Sequence, residues 1–133
     1  GAFTIPLGVA AGPGSRVIAF EPNPAMIGWL GHNVRLNHLG QVVRIEGCAL
    51  AAESGEALLN FRTQNFGQAS LMPIKAAMSD GATIVPVRPL LDLCEDAESY
   101  DVSVLKIDVE GAEVAALGPL LEAAGWLPDA MLV

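Results

Sequence analysis

Apolar residues along the chain form short continuous runs that alternate with stretches of helical spacing. The runs near 17–21, 42–46 and 102–107 have the length and composition of strands buried on both faces of a sheet. Between them, apolar residues recur every three or four positions over 24–39 and again over 111–124, as in helices with one buried face. We therefore predict an α/β fold in which these three strands share one mainly parallel sheet and both helices pack on it.

Capping residues and helix breakers set the bounds of the predicted helices. A first, short apolar helix over 2–11 is followed by Gly-Pro-Gly, a sequence that ends helices. Asn23 is a suitable N-cap and Pro24 a suitable first residue for the second helix, which Gly40 is expected to close. The Gly118–Pro119 pair is expected to break the last helix into two pieces.

The middle of the chain gives weaker signals. Residues 58–61 and 83–87 are predicted to be shorter strands, and 89–94 a short helix. The polar segment 65–70 is predicted to be a loop between strands, which is either a plain connection or a surface that touches a substrate. A last strand is predicted to begin at Ala130.

The composition and net charge of the chain argue against several classes of protein and of binding partner. The 133 residues are 52% hydrophobic and 17% charged, which is not the composition of a disordered chain. The net charge is −8 and the seven basic residues do not cluster, so we expect no binding to nucleic acid or to an anionic membrane. No apolar run reaches the roughly 18 residues that span a bilayer. Cys48 and Cys94 form no CxxC pair, and we expect reduced thiols in a cytoplasmic protein.

Glu21 lies at the carboxyl end of a predicted buried strand, directly before a helix. In open α/β sheets this is the edge at which ligands bind. Gly1 precedes Glu21 by 20 positions, and an acidic residue about 20 positions after a glycine turn typically accepts hydrogen bonds from ribose hydroxyls. The spacing alone leaves two interpretations open: a residue that binds ribose, or a solvated glutamate at a strand end.

A second group of acidic residues follows the strand near 102–107. Asp108 and Glu110 are two positions apart, a spacing at which side chains share a face of an extended segment. Glu113 follows Glu110 by about one helical turn. Neighbouring carboxylates suit a general base or a divalent cation, and the alternative is that acidic residues merely favour the first turn of a helix. No histidine is near in sequence, so a metal-assisted hydrolase is the least favoured interpretation and we assign no metal ligand.

Three segments together resemble the FkbM-type methyltransferases. Residues 17–24, which end in Glu-Pro-Asn-Pro, are similar to the family's second-strand motif. Residues 105–113, with the sequence Leu-Lys-Ile-Asp-Val-Glu-Gly-Ala-Glu, are similar to its fourth-strand signature. Residues 48–50 and the polar segment that ends at Ser70 lie between them in the expected order. The resemblance covers nearly the whole chain.

The resemblance implies a Rossmann-like class I fold that uses S-adenosyl-L-methionine to methylate a hydroxyl of a sugar or small natural product. It also implies that residues 1–133 are a single, partial methyltransferase domain that lacks the family's first and last strands, and we expect this chain alone to be inactive. The implied catalytic residues are Asp108 and Glu110, the implied contacts to the methyl acceptor are Ser70 and Glu113, and the implied cofactor-binding residues are Gly1, Glu21, Pro22, Asn23, Ala49, Leu50 and Asp108.

Two other functions remain compatible with the residues themselves. A nicotinamide-dependent oxidoreductase would use Glu21 on a ribose in the same way but has no need of Asp108 and Glu110. A non-catalytic α/β module that binds a nucleotide or a partner protein would need neither of those carboxylates as a base. The sequence leaves the oligomeric state open, and cofactor-binding measurements distinguish the three functions.

Overall fold

The computed structural model shows a mixed α/β fold with parallel strand pairs and helices. It divides into two units, residues 1–49 and 50–133. None of its described helices is long and apolar enough to cross a membrane. The single-domain assignment stays a prediction. The structure describes residues 2–62, 65–71, 81–109, 112–123 and 125–133, with the backbone alone for 62 and 65–70.

The first unit contains a parallel βαβ arrangement, as predicted. Its strands pair in parallel over their whole length, from Val17 opposite Val43 to Phe20 opposite Glu46. A preceding helix ends where Gly12 takes a φ of +75°, a conformation that favours glycine. The elements are α1 (Thr4–Ala11), β1 (Val17–Phe20), α2 (Pro24–Leu36) and β2 (Val43–Glu46).

The core of the first unit is aliphatic. A Cβ added at Gly8 of α1 would lie 3.0 Å from side-chain atoms of Leu39 and of Val43. The absence of a side chain at this position therefore lets α1 approach the core closely. Burial of each such aliphatic side chain contributes about 1.5–3 kcal/mol to stability. The buried members of the core are Ala19, Leu30, Val34, Leu39 and Val43, and the half-buried Ile5, Val17 and Ile45 pack against them.

Helix α2 ends at Leu36, earlier than the predicted stop at Gly40. His38 takes the left-handed conformation, with a φ of 56°. The N–H of Leu39 donates to the carbonyl of Val34 at 3.0 Å, and the N–H of His38 to that of Arg35 at 3.1 Å. This pair of bonds is a Schellman motif, in which a residue after the left-handed position packs on the last turn. The helix stops early because the turn brings Leu39 into the core with Val34.

A four-stranded sheet has the strand order β3 (49–50), β6 (81–88), β4 (55–62) and β5 (65–70). β4 pairs antiparallel with both β5 and β6, so the prediction of mainly parallel pairing is wrong for this sheet. Segment 65–70 is a strand and not the predicted loop. It lies only two residues after β4, a spacing that favours a hairpin. The strands are β3 (Ala49–Leu50), β4 (Gly55–Arg62), β5 (Asn65–Ser70) and β6 (Gly81–Arg88).

A second βαβ arrangement follows in the second unit. β7 pairs in parallel with β8, from Val104 opposite Ala130 to Lys106 opposite Leu132. This pair is a two-stranded sheet of its own, and the pair β1–β2 is another, so the predicted single sheet is not formed by the described strands. An apolar run predicts a strand but neither its burial nor the strand it pairs with, and Val104 of β7 is 65% exposed. The elements are two 3₁₀ helices (Leu91–Leu93 and Ala97–Ser99), β7 (Val104–Lys106), α3 (Glu113–Glu122) and β8 (Ala130–Leu132).

Helix α3 runs without interruption through Pro119, although the sequence predicts a break there. Proline removes one backbone N–H donor and crowds the preceding turn. On both sides of it, Ala116, Leu117 and Leu120 are buried, and Ala123 still donates to the carbonyl of Pro119 at 3.0 Å. We conclude that burial of this apolar face keeps the helix continuous.

Candidate functional site

The turn after β1 holds the first predicted site residue, Glu21. Its backbone N–H donates to the carbonyl of Glu46 at 3.0 Å and so continues the pairing with β2. Its side chain is half-buried, and its Oε1 accepts a 2.9 Å hydrogen bond from the backbone N–H of Asn23. Burial raises the pKa of the Glu21 carboxyl, and the Asn23 N–H offsets part of that rise. The carboxylate is thus oriented by the turn that follows it.

Asn23 is almost fully buried, with 2% of its surface exposed. Its Oδ1 accepts from the N–H of Ala25 at 3.0 Å, which makes it the predicted N-cap of α2, and Pro24 is the first helical residue. Within the part of the chain that the structure describes, its Nδ2 has no hydrogen-bond partner, whereas buried amide groups normally find one. A buried donor without a partner costs about 1–3 kcal/mol. Asn23 therefore holds a donor whose hydrogen bond is not satisfied by the described residues.

The remaining cofactor residues implied by the resemblance are placed in part. Pro22 is half-buried between Glu21 and Asn23. Ala49 and Leu50 form β3 and are both buried, so only backbone and apolar surface of theirs is offered to a ligand. Gly1 lies outside the described residues.

A cavity of about 400 Å³ lies at the carboxyl end of β7. The Lys106 Nζ lies 3.1 Å from Oδ2 of Asp108. Glu113, the first residue of α3, faces the same space, so the structure brings together two of the predicted acidic residues. The cavity is lined by Lys106, Ile107, Asp108, Glu113, Leu132 and Val133.

The other predicted residues of the acidic motif and the acceptor site are less fully described. Glu110 lies outside the described residues. Ser70 is the last residue of β5, opposite Asn60 of β4. The convergence of Glu21, Asp108 and Glu110 on one cleft stays a prediction. Within the described ranges, no group of three His, Cys, Asp or Glu side chains is placed to hold a metal ion.

Sequence analysis missed two features of this site. Lys106 was not singled out, although its spacing of two from Asp108 on a strand is the same signal that drew attention to Glu110. The unpartnered Nδ2 of Asn23 could not be foreseen, because it depends on what packs around a capping residue in three dimensions.

Comparison with known proteins assigns the chain to a family. The family described as the Methyltransferase FkbM domain matches residues 2–130. A curated relative, Methyltransferase 1 of Beauveria bassiana (strain ARSEF 2860), is 30% identical over 122 residues, which cover 79% of this chain and 49% of the relative. The chain spans about half the length of that relative. No solved structure gives a significant match. The chain belongs to the FkbM methyltransferase family.

Proposed function

We propose that the protein is an S-adenosyl-L-methionine-dependent methyltransferase with a Rossmann-like fold, which methylates a hydroxyl of a sugar or small natural product. The proposal depends on two groups after β1, in a chain that matches the FkbM domain over residues 2–130. One is the carboxylate of Glu21, which the Asn23 N–H orients, and the other is the buried Nδ2 of Asn23, which has no hydrogen-bond partner among the described residues.

The residues of this turn fit the ribose of the cofactor. A ribose hydroxyl both donates and accepts hydrogen bonds, so it needs an acceptor and a donor on the protein. Glu21 offers a carboxylate acceptor, and Asn23 offers an Nδ2 donor that has no hydrogen-bond partner among the described residues. Ala49 and Leu50 offer an apolar surface for the adenine ring. These residues would hold the nucleoside part of the cofactor.

The cavity after β7 supplies the groups that act on the methyl acceptor. When bound, S-adenosyl-L-methionine supplies an electrophilic methyl group carried on a sulfonium cation. Asp108 takes the proton of the acceptor hydroxyl, which is a weak nucleophile until that proton is removed. Glu113 accepts a hydrogen bond from a neighbouring hydroxyl and so orients the acceptor, which accounts for much of the rate of such reactions. We assign Glu110 to the same site as a second acidic group.

Calorimetric titration of the full-length protein with S-adenosyl-L-methionine tests the proposal. Glu21→Ala should weaken binding by about 1.5–3 kcal/mol, the usual worth of a hydrogen bond to a charged group. Glu53→Ala is the matched control, because Glu53 is exposed and precedes β4 in the second unit, outside the Glu21 turn. Tight binding of a nicotinamide dinucleotide, with no binding of S-adenosyl-L-methionine, would instead support the oxidoreductase.

A further inference from the structure

Lys106 lies in the cavity after β7 but has no part in the function proposed so far. Among the described residues that line this cavity, Lys106 is the one cation, beside the carboxylates of Asp108 and Glu113. Its ammonium contacts Oδ2 of Asp108 at 3.1 Å. The two side chains come from positions 106 and 108, which share a face of the extended segment.

The two partners differ in how firmly the protein holds them. The Lys106 side chain is 21% exposed, whereas that of Asp108 is 67% exposed. A lysine with a largely buried stem has few positions open to its ammonium group. An exposed aspartate has many rotamers, and a fixed cation beside it selects one of them. The geometry therefore makes Lys106 the anchor and Asp108 the group that is positioned.

We propose that Lys106 is a positioning residue for the reaction, and this inference rests on the proposed function. Lys106 engages Oδ2 of Asp108, so that Oδ1 is presented to the hydroxyl proton of the acceptor. Its positive charge also offsets part of the attraction between Asp108 and the sulfonium cation.

Partial neutralisation of Asp108 by Lys106 favours the methyl-transfer step. Methyl transfer removes the positive charge from sulfur, so a carboxylate that binds the cation strongly stabilises the ground state more than the transition state. Only interactions that strengthen toward the transition state accelerate the step. Because Lys106 partly neutralises the charge of Asp108, this carboxylate binds the sulfonium cation less strongly. Asp108 can still take the proton of the acceptor hydroxyl.

The test compares the binding of S-adenosylmethionine, a cation at sulfur, with that of S-adenosylhomocysteine, which is neutral there. The measured quantity is the ratio of the Kd of S-adenosylhomocysteine to that of S-adenosylmethionine, obtained by calorimetry on the full-length protein. Lys106→Met should raise this ratio about three- to tenfold, the size expected for a partly screened charge beside a ligand. Asp108→Asn should lower the ratio, and Lys106→Arg should leave it near the wild-type value.

A matched control removes a similar ion pair elsewhere. Arg44 and Glu46 are also two positions apart on a strand and form an ion pair on β2. Arg44→Met should leave the ratio unchanged. In the double variant Lys106→Met with Asp108→Asn, the ratio should return toward the wild-type value, because the two charges act on the sulfonium cation in opposite directions.

The possible outcomes distinguish a failure of this inference from a failure of the proposed function. If both ligands bind but Lys106→Met weakens them equally, Lys106 is only structural and the inference is overturned. If the wild-type protein binds neither ligand, the proposed function fails and the inference fails with it. Should Lys106→Met not fold, Lys106→Gln carries the same comparison.

Discussion

Glu21 shows how a half-buried carboxyl group can lower the stability of the folded protein. Burial raises the pKa of its carboxyl above the ordinary value of 4.5. The folded chain therefore binds this proton more tightly than the unfolded chain does. By linkage, the free energy of unfolding falls as the pH rises from about 4.5 through the folded pKa. Near neutral pH the half-buried charge of Glu21 therefore lowers the stability of the folded chain.

The Glu21→Gln variant tests this pH dependence of the free energy of unfolding. Glu21→Gln removes the charge but keeps an oxygen that accepts from the Asn23 N–H. The variant should have a higher free energy of unfolding than the wild type near pH 7, with the difference vanishing well below pH 4.5. Urea unfolding at a series of pH values measures it. A difference that does not change with pH would show that burial of the charge is not the cause. The same variant should bind S-adenosyl-L-methionine more weakly.

A second carboxylate has the opposite dependence on pH. Oδ2 of Asp129 accepts from the backbone N–H of Ser103 at 2.7 Å and from its hydroxyl at 2.9 Å. These bonds lower the pKa of Asp129 below its ordinary value of 3.8. The stability they contribute is complete above that value and is lost as the pH falls through the folded pKa. Asp129→Ala should lower the Tm near pH 7, and the difference should narrow in stronger acid.

At the scale of elements, the end of α2 places a histidine where glycine is usual. His38 has a φ of 56°, and a non-glycine residue in this region is strained by about 1–2 kcal/mol. His38→Gly should therefore raise the free energy of unfolding by about 0.5–1 kcal/mol, after the greater entropy of glycine in the unfolded chain is subtracted. Denaturant unfolding measures the change. Asn37→Gly is the control: Asn37 has a φ of −96°, so that variant should destabilise instead.

The antiparallel sheet depends on a close approach at Gly81. A Cβ at this position would lie 2.5 Å from Cε2 of Phe61, its partner on β4. Gly81→Ala should lower the free energy of unfolding by about 1–3 kcal/mol, the usual effect of overpacking. Gly28→Ala is the contrasting variant. Gly28 lies inside α2 with no atom within 4 Å of an added Cβ, so alanine there should stabilise by about 0.5–1 kcal/mol. Equal effects of the two variants would contradict this explanation.

Elements with strong local signals are the ones that the sequence predicts well. β1 is a continuous apolar run, and the start of α2 is marked by an N-cap followed by proline. β5 is polar, and its strand conformation depends on pairing with β4, which the composition of the segment does not reveal. Pro119 is a local signal that tertiary burial overrides. The sequence predicts the positions of Glu21 and of Asp108, each after a strand, whereas the ion pair of Lys106 with Asp108 is a fact of side-chain geometry.

At the largest scale, the net charge of −8 on the 133 residues attracts cationic ligands and repels anionic ones. An acidic protein attracts cations over distances of about 8–10 Å at moderate ionic strength, and added salt screens that attraction. S-adenosyl-L-methionine carries one net positive charge, whereas S-adenosylhomocysteine carries none. The two ligands share every other group, so a comparison of their salt dependence isolates the field of the protein from its specific contacts.

We expect salt to weaken the binding of the cationic ligand selectively. Raising NaCl from about 0.05 M to about 0.5 M shortens the screening length roughly threefold, and the Kd of S-adenosyl-L-methionine should rise about three- to tenfold. The Kd of S-adenosylhomocysteine should change less than about twofold, because its sulfur is neutral. Calorimetric titrations of the full-length protein at both salt concentrations measure the two ratios. Equal changes for both ligands would show that salt acts on the folded structure and that the acidic charge of the chain does not attract the cofactor.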